Sequence, residues 1–258
     1  MKNKKVDILL LIVFPVLASL ITVVYKVNFL SFIILYFGIP LLYLALRNPG
    51  IVVKSFMFAF YFSIPLSLFV DTLAVLDQSW IIKETIFPFK FFGLATVEVY
   101  IYGLLWGFLA VLFYEHFFDR GRWKDRLSKN IKYLLYFFAF LVITVTVLFF
   151  VDTNLLKIPY FYLWVSLIFI IPPLIFFLYF YPKFLQRYVL IAVYFFFILF
   201  ISELTALETK QWIFPSNNFI GFAEVFKYRF PLEELFFWMI FATPSFLAYY
   251  EFFADDRK

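Results

Sequence analysis

Two adjacent carboxylates, Glu233 and Glu234, stand at the start of a strongly apolar run. The run reads Phe230-Pro231-Leu232-Glu233-Glu234-Leu235-Phe236-Phe237-Trp238. Charged groups are costly inside a bilayer, so carboxylates in such a run are candidates for chemistry. Two carboxyl groups in one apolar cavity cannot easily both ionise, and the protonated one would be a Brønsted acid in hydrocarbon. Pro231 suits a first helical turn, where the dipole favours the carboxylate, so an ordinary interfacial helix start stays an alternative.

A second group of acids lies near the ends of two other apolar segments. Asp71 is followed by Trp80, and Glu203 is followed by Trp212. Interfacial solvation, with the tryptophans as anchors in the membrane interface, would explain these residues without a site. The functional interpretation makes them part of a substrate-binding site near Glu233 and Glu234. The predicted substrate-binding residues are Asp71, Glu203, Trp80, Trp212, Tyr102, Phe237 and Trp238.

The composition identifies the elements that must position these side chains. Hydrophobic residues make up 65% of the 258 residues and charged residues only 15%, whereas soluble domains are roughly 45–50% apolar. Eight windows approach the ~20 residues needed to span a bilayer. They are 6–25, 27–46, 55–75, 92–117, 131–151, 160–181, 188–207 and 232–253. The sequence therefore predicts an all-α, multi-pass membrane protein with about eight transmembrane helices.

The charges indicate orientation and exclude several classes of chemistry. Lysines and arginines concentrate on one side of the predicted spans, so both termini are expected to be cytoplasmic. The net charge of +5 suits anionic lipid headgroups and gives no reason to expect nucleic acid. The absence of cysteine excludes thiolate catalysis and cysteine-ligated metal. With His116 as the single histidine, we expect no metal. A set of acids near helix ends is expected to form a solvated face: Glu115, Asp119, Glu251 and Asp255.

The chain reads as a tandem duplication. Asp71 to Trp80 aligns with Glu203 to Trp212 at an offset of 132 positions (212 − 80). Beyond the tryptophans the offset becomes 136, which pairs Glu98 with Glu234 (234 − 98). We expect two four-helix repeats, residues 1–126 and 127–258, in parallel orientation. Glu98 and Glu234 should then face each other, with Glu233 pointing about 100° away on its helix.

The segment Pro231-Leu232-Glu233-Glu234-Leu235-Phe236-Phe237 resembles the signature of the membrane-integral lycopene cyclases. The Trp212 segment, the small all-helical size and the duplicated architecture are also similar to that family. In that family two such units cyclise the linear ends of lycopene into β-ionone rings, which is a redox-neutral isomerisation. The resemblance implies that Glu233 and Glu234 are the catalytic acids, with Glu98 as their remnant in the first repeat. It also implies a hydrophobic polyene or isoprenoid substrate, a site inside the lipid bilayer and no cofactor.

The first repeat departs from that signature, because Ala95 and Val97 stand where a full motif has proline and an acid. This departure leaves open a cyclase of another isoprenoid. A proton-coupled transporter would also use duplicated helices with buried acids and prolines, although glycine is scarce and the acids lie near one side. A non-catalytic carotenoid-binding subunit is the remaining alternative. A prenyltransferase is disfavoured, because no Asp-x-x-x-Asp motif occurs to hold magnesium-bound diphosphate. A homo-oligomer is compatible with the sequence.

Overall fold

Helices dominate the structure, a computed structural model that describes residues 4–119 and 127–255. Within these residues, seven helices are long and apolar enough to cross a membrane. In chain order they are α1 (Lys4–Tyr25), α2 (Phe29–Arg47), α3 (Pro49–Leu76), α4 (Val97–Asp119), α5 (Ile131–Val151), α6 (Phe161–Phe180) and α7 (Pro182–Thr209). The last predicted window is also helical, as three contiguous parts that together form α8: Glu234–Phe241, Ala242–Tyr249 and Tyr250–Ala254. The predicted all-α membrane fold is confirmed.

The fourth predicted window is wrong at its beginning. Residues 92–96 belong to a β-hairpin, and α4 starts only at Val97. Phe92 and Gly93 both have positive φ values, of 51° and 70°, which a right-handed helix excludes. An apolar run alone does not reveal such a turn, because hydrophobicity is the same in both conformations.

Three short two-stranded sheets cover one end of the bundle. The strands are β1 (Ile81–Ile82), β2 (Lys90–Phe91), β3 (Ala95–Thr96), β4 (Trp212–Ile213), β5 (Phe222–Val225) and β6 (Tyr228–Pro231). The pairs β2–β3 and β5–β6 are antiparallel hairpins that lead directly into α4 and α8. The pair β1–β4 joins the two halves of the chain, with Ile81 opposite Ile213.

Both described ends of the chain lie at the other end of the bundle. Lys4 donates a hydrogen bond to the backbone carbonyl of His116 at 2.7 Å, and Asp255 lies 3.8 Å from Lys54. The strands and the chain ends are therefore on opposite sides of the predicted membrane region. Which of these sides is cytoplasmic stays a prediction of the lysine and arginine distribution.

α4 is the most buried of the helices and packs most extensively against α3. Glycines permit this close approach, because a Cβ atom at Gly103 would lie 2.7 Å from Ser67 Oγ. The outer helices α1 and α5 instead expose large apolar side chains such as Val24 and Phe150. Exposed apolar surface on helices of this length is the surface that lipid would cover.

The acids near the chain ends do not form the expected solvated face. Glu115, Glu251 and Asp255 are each at most 3% exposed. Tyr114 donates a hydrogen bond to Glu251, and Tyr250 donates one to Glu115. Lys54 lies 3.8 Å from both Glu115 and Asp255 and supplies positive charge inside the cluster. The prediction of solvation was wrong, because partners from the other half of the chain replace water.

Candidate functional site

A cavity of about 120 Å³ lies inside the bundle, below the end that carries the strands. It is bounded by α3, α4, α6, α7 and α8, and two acids line it, Asp71 from α3 and Glu234 from α8. The lining residues of α3 run from Ser63 to Ala74, so the cavity extends about 17 Å along that helix at ~1.5 Å per residue. Its aromatic walls come from both halves of the chain: Trp80, Tyr102, Trp106, Tyr162, Trp212 and Trp238. We call this space the central cavity.

Glu234 occupies the first turn of α8 and is half-buried at the wall of the central cavity. Its carboxyl group has no hydrogen-bond partner among the described residues. Two other carboxyl groups, those of Glu203 and Glu233, lie close enough to interact with it electrostatically. Glu234 is therefore an acid that faces an apolar space and makes no hydrogen bond to another described residue.

Glu203 lies behind the wall of the central cavity. It is only 2% exposed, and the indole N–H of Trp212 donates a hydrogen bond to it at 3.1 Å. Tyr102 and Tyr162 each interact electrostatically with Glu203, Glu234 and Asp71. The structure thus brings together the three acids that the sequence placed on three different helices.

Asp71 lines the central cavity from α3, five residues before the last residue of that helix. It is 7% exposed, and the hydroxyl of Ser67, one turn earlier on the same helix, hydrogen-bonds to it. The hydroxyl holds the side chain toward the cavity without neutralising it. A polar but uncharged partner of this kind suits a group that exchanges a proton.

Glu98 does not face Glu234, and this expectation from the repeat alignment is corrected. Its carboxylate turns to the loop before β2, where it accepts hydrogen bonds from Thr85 Oγ1 and from the backbone N–H of Ile86, both at 2.6 Å. The backbone N–H of Phe87 also donates to it, at 3.3 Å. Glu98 does not line the central cavity. The hydrogen-bond donors of this loop attract the buried carboxylate. Hydrophobic periodicity could not have predicted this, because it does not report which loop offers such donors.

Glu233 matches Glu98 in both place and partner. It is buried at the start of α8, and its Oε1 accepts the backbone N–H of Ile220 in the loop before β5 at 2.8 Å. The structural equivalent of Glu98 is therefore Glu233, at an offset of 135 positions (233 − 98). Its other carboxyl oxygen is buried and has no partner among the described residues.

A π-helical segment explains why the offset between equivalent residues of the two halves changes from 135 at Glu98 and Glu233 to 136 nearer the chain ends. Tyr114 and Tyr250 play the same part at an offset of 136 (250 − 114), one more than at Glu98 and Glu233. Between these points α4 is regular, whereas α8 is π-helical over Glu234–Phe241. A π-turn accommodates one extra residue in a helix. The extra residue falls within the segment Glu234–Phe241. At the offset of 135, Val99 is the residue of α4 that corresponds to Glu234 (234 − 99).

An exposed ion pair links the hairpin β5–β6 to Glu208, near the end of α7. Lys227 Nζ lies 2.8 Å from a carboxylate oxygen of Glu208, and the Tyr228 hydroxyl donates to the same oxygen at 2.7 Å. The hydrogen bond to Glu208 raises the pKa of the Lys227 ammonium group. Exposed pairs of this kind contribute little stability, so their effect is to orient the hairpin.

Of the other predicted site residues, all but one line the central cavity. Trp80, Tyr102, Trp212 and Trp238 line the central cavity. Phe237 is half-buried and does not line it. The lining residues that were not predicted from the sequence include Ser67, Trp106 and Tyr162. Trp106 follows Tyr102 by four positions and could have been found by helical spacing. Tyr162 carries no local signal, because the packing of α6 alone brings it to the cavity.

Among the described residues, one group of carboxylates brings ligand atoms close enough for a metal ion. It comprises Glu115, Asp119 and Asp255, whose oxygens lie within 4.8 Å of one another. This group lies at the end of the bundle that holds the chain ends, beside Lys54. It is remote in sequence and in the fold from the central cavity.

Comparisons with protein families, with curated proteins and with solved structures find no match. The fold and the site by themselves define a class: an all-α multi-pass membrane protein with an aromatic-walled cavity that carries two acids. Further assignment depends on what this arrangement can do chemically.

Proposed function

We propose that the protein is an isoprenoid cyclase of the lycopene cyclase type, which closes the linear end of a polyene into a ring by acid catalysis. One observation carries the proposal: Glu234 and Asp71, from opposite halves of the chain, line one aromatic-walled cavity inside the helix bundle. The resemblance of residues 231–237 to the lycopene cyclase signature points to the same chemistry. Such a reaction requires an acid, a base and the exclusion of water.

The size of the cavity supports action on a chain end. About 120 Å³ is comparable to the ~150 Å³ engineered cavity that binds benzene. This space suits one ring-sized terminus, while the remainder of a long polyene would extend along apolar helix surfaces or into lipid. A cyclase needs to enclose only the atoms that react.

Glu234 is the proton donor in this proposal. Three carboxyl groups in one apolar region cannot all be ionised at neutral pH, and Glu234 is the one at the cavity wall without a hydrogen-bond partner among the described residues. Its O–H bond breaks as the terminal carbon–carbon double bond takes the proton and forms a new C–H bond. The electrons of that double bond are used, and a tertiary carbocation remains.

Ring closure and loss of a proton complete the reaction. A second double bond of the polyene attacks the cation, forms the ring C–C bond and transfers the positive charge to a ring carbon. Asp71 then accepts a proton from the adjacent carbon, and the released electron pair becomes the ring double bond. One proton is gained and one is lost, so no oxidant, reductant or cofactor is needed.

The aromatic walls protect the cation between these steps. Aromatic faces attract positive charge, with tryptophan the strongest of them, and four tryptophans line the cavity. They also keep out water, which would trap the cation as an alcohol. Glu203 acts behind the wall, where its hydrogen bond fixes the Trp212 ring.

Expression in a lycopene-accumulating bacterial host tests the proposal. We expect cyclic carotenes from the intact chain and a loss of roughly 10²-fold or more in Glu234→Gln and in Asp71→Asn, as for removal of a general acid or base. Glu224→Gln removes an exposed acid on β5 and serves as the matched control with unchanged product.

Two outcomes would redirect the assignment. Unchanged lycopene beside well-expressed protein would contradict the lycopene assignment and favour another isoprenoid or proton-coupled transport. Unchanged lycopene that co-purifies with the protein would favour the carotenoid-binding alternative.

A further inference from the structure

A second cavity, of about 130 Å³, lies beneath the hairpin β2–β3. It shares three lining residues with the central cavity: Asp71, Trp80 and Val99. Asp71 therefore stands at the junction of two spaces, with one face toward the aromatic cavity and one toward the strand end of the bundle. We call the second space the outer chamber.

Polar side chains line part of the outer chamber, although the bundle around it is apolar. Thr96 lines it, is only 4% exposed, and its hydroxyl oxygen has no hydrogen-bond partner among the described residues. At the rim stands Lys90, whose side chain is exposed. Buried hydroxyls of this kind are normally satisfied by protein or by ordered water.

Water is the ligand that fits this chamber. A buried water needs two to four polar partners, and Asp71, Thr96 and Lys90 all line the chamber. The volume corresponds to about four waters at ~30 Å³ each. A chain of that length would connect the carboxyl group of Asp71 to bulk solvent.

We propose that the outer chamber is a water-filled proton route that connects Asp71 with the side of the membrane opposite the chain ends. Access of water to Asp71 through the chamber follows from the lining residues alone, whereas the role of this water in catalysis rests on the proposed function. After each ring closure Asp71 holds the proton taken from the product, and Glu234 has lost one. Asp71 passes its proton to a water of the chamber, and water that enters the emptied central cavity past Asp71 returns a proton to Glu234.

The chain offers a direct test, because it contains no cysteine. In the full-length protein, Asp71→Cys would be treated in intact cells with an anionic, membrane-impermeant methanethiosulfonate reagent. The route predicts labelling from outside, since the strand end is the predicted non-cytoplasmic side. The reagent would be applied to inverted membrane vesicles in parallel to identify the side of access.

Two blocking variants make the test specific to the chamber. Ala95→Leu and Val75→Phe each place bulk in the outer chamber, and neither residue lines the central cavity. In the Asp71→Cys background each is expected to slow labelling roughly tenfold or more, since filled protein interiors leave no water-sized gaps. Glu224→Cys, at an exposed position on β5, is the control whose labelling stays unchanged in both variants.

Three results would overturn the route: no labelling of Asp71→Cys from either side, labelling of Asp71→Cys only from the side opposite to the one that labels Glu224→Cys, or undiminished labelling in both blocking variants. None of them depends on substrate. A chain that is labelled as expected but forms no rings would contradict the proposed function alone. A chain that forms rings without any access to position 71 would contradict the route alone.

Discussion

The adjacent carboxyl groups of Glu233 and Glu234 have different surroundings. Glu233 is fully buried and holds the loop before β5 through Ile220, whereas Glu234 faces the central cavity. Glu98 does for the loop before β2 what Glu233 does for the loop before β5. At the residue scale, two of the three predicted catalytic acids are therefore positioned for structural roles.

This division predicts separable defects. Glu98→Gln should lower stability, since a hydrogen bond to a charged group contributes about 1.5–3 kcal/mol, while ring formation per folded protein changes little. Glu234→Gln should leave stability nearly unchanged and stop ring formation. Thermal unfolding in detergent and product yield, measured on the same preparations, check both variants. Equal loss of ring formation in stable Glu98→Gln protein would contradict the assigned roles.

The orientation of Glu98 shows what the sequence could not supply. Its presence in an apolar window was enough to predict a buried acid, but its partners are backbone N–H groups of residues 86 and 87 and a threonine hydroxyl. Backbone donors are present in every loop, so sequence contains no signal for which loop presents them. The placement of Asp71 and Trp212 was predictable, because each belongs to an acid-to-tryptophan segment that occurs at the end of a predicted helix in both repeats.

At the scale of elements, the contact of α3 with α4 determines the shape of the central cavity. Gly103 lines the cavity, and the side chain of Ser67 fills the space where its Cβ atom would stand. Ser67 in turn hydrogen-bonds to Asp71. The spacing of these two helices is therefore linked to the position of the acid.

Gly103→Ala is expected to destabilise the protein by about 1–3 kcal/mol, as overpacking of a close contact does. The introduced Cβ atom would lie 2.7 Å from Ser67 Oγ, and the next atom of α3 is 3.8 Å away. The double variant Gly103→Ala/Ser67→Ala removes that oxygen and should recover most of the lost stability. Thermal unfolding of the single and double variants in one detergent checks this. A double variant as unstable as the single one would contradict the contact.

The start of α8 was less predictable than its existence. An apolar run after Pro231 was sufficient to predict a helix, which the structure confirms. The π-helical segment Glu234–Phe241 shifts the register of the repeat by one residue, and no feature of residue type marks it. Sequence alignment alone therefore paired Glu98 with the wrong member of the two acids.

At the scale of the whole molecule, the two halves contact each other reciprocally. Tyr114 with Glu251 and Tyr250 with Glu115 form one pair of contacts at the chain-end side, and Trp80 packs against Trp212 at the strand side, with ring centroids 5.8 Å apart. These contacts support the duplication of residues 1–126 and 127–258, which stays a prediction. Composition was enough for the fold class, but buried acids near helix ends were mistaken for solvated ones, because the tyrosines that donate to Glu115 and Glu251 are more than a hundred positions away.

The duplication predicts that the halves assemble when separated. Residues 1–126 and 127–258, co-expressed as two chains, should co-purify and form rings, since the hydrogen bonds and ring contacts between the halves join them without a covalent link. Tyr114→Phe together with Tyr250→Phe should weaken co-purification, while Tyr25→Phe, on an exposed position of α1, should not. Halves that are each inserted in the membrane but never associate would contradict this view of the molecule.

The most direct test of acid-catalysed ring closure is a turnover measurement in heavy water. The purified protein, in lipid vesicles containing lycopene, would be incubated in D₂O, and the products analysed by mass spectrometry beside a reaction in H₂O. Acid catalysis by Glu234 predicts cyclic products that carry one deuterium for each ring in D₂O, no mass change in H₂O, and no rings from Glu234→Gln. Unchanged lycopene from the folded protein, or rings formed at the normal rate by Glu234→Gln, would contradict it.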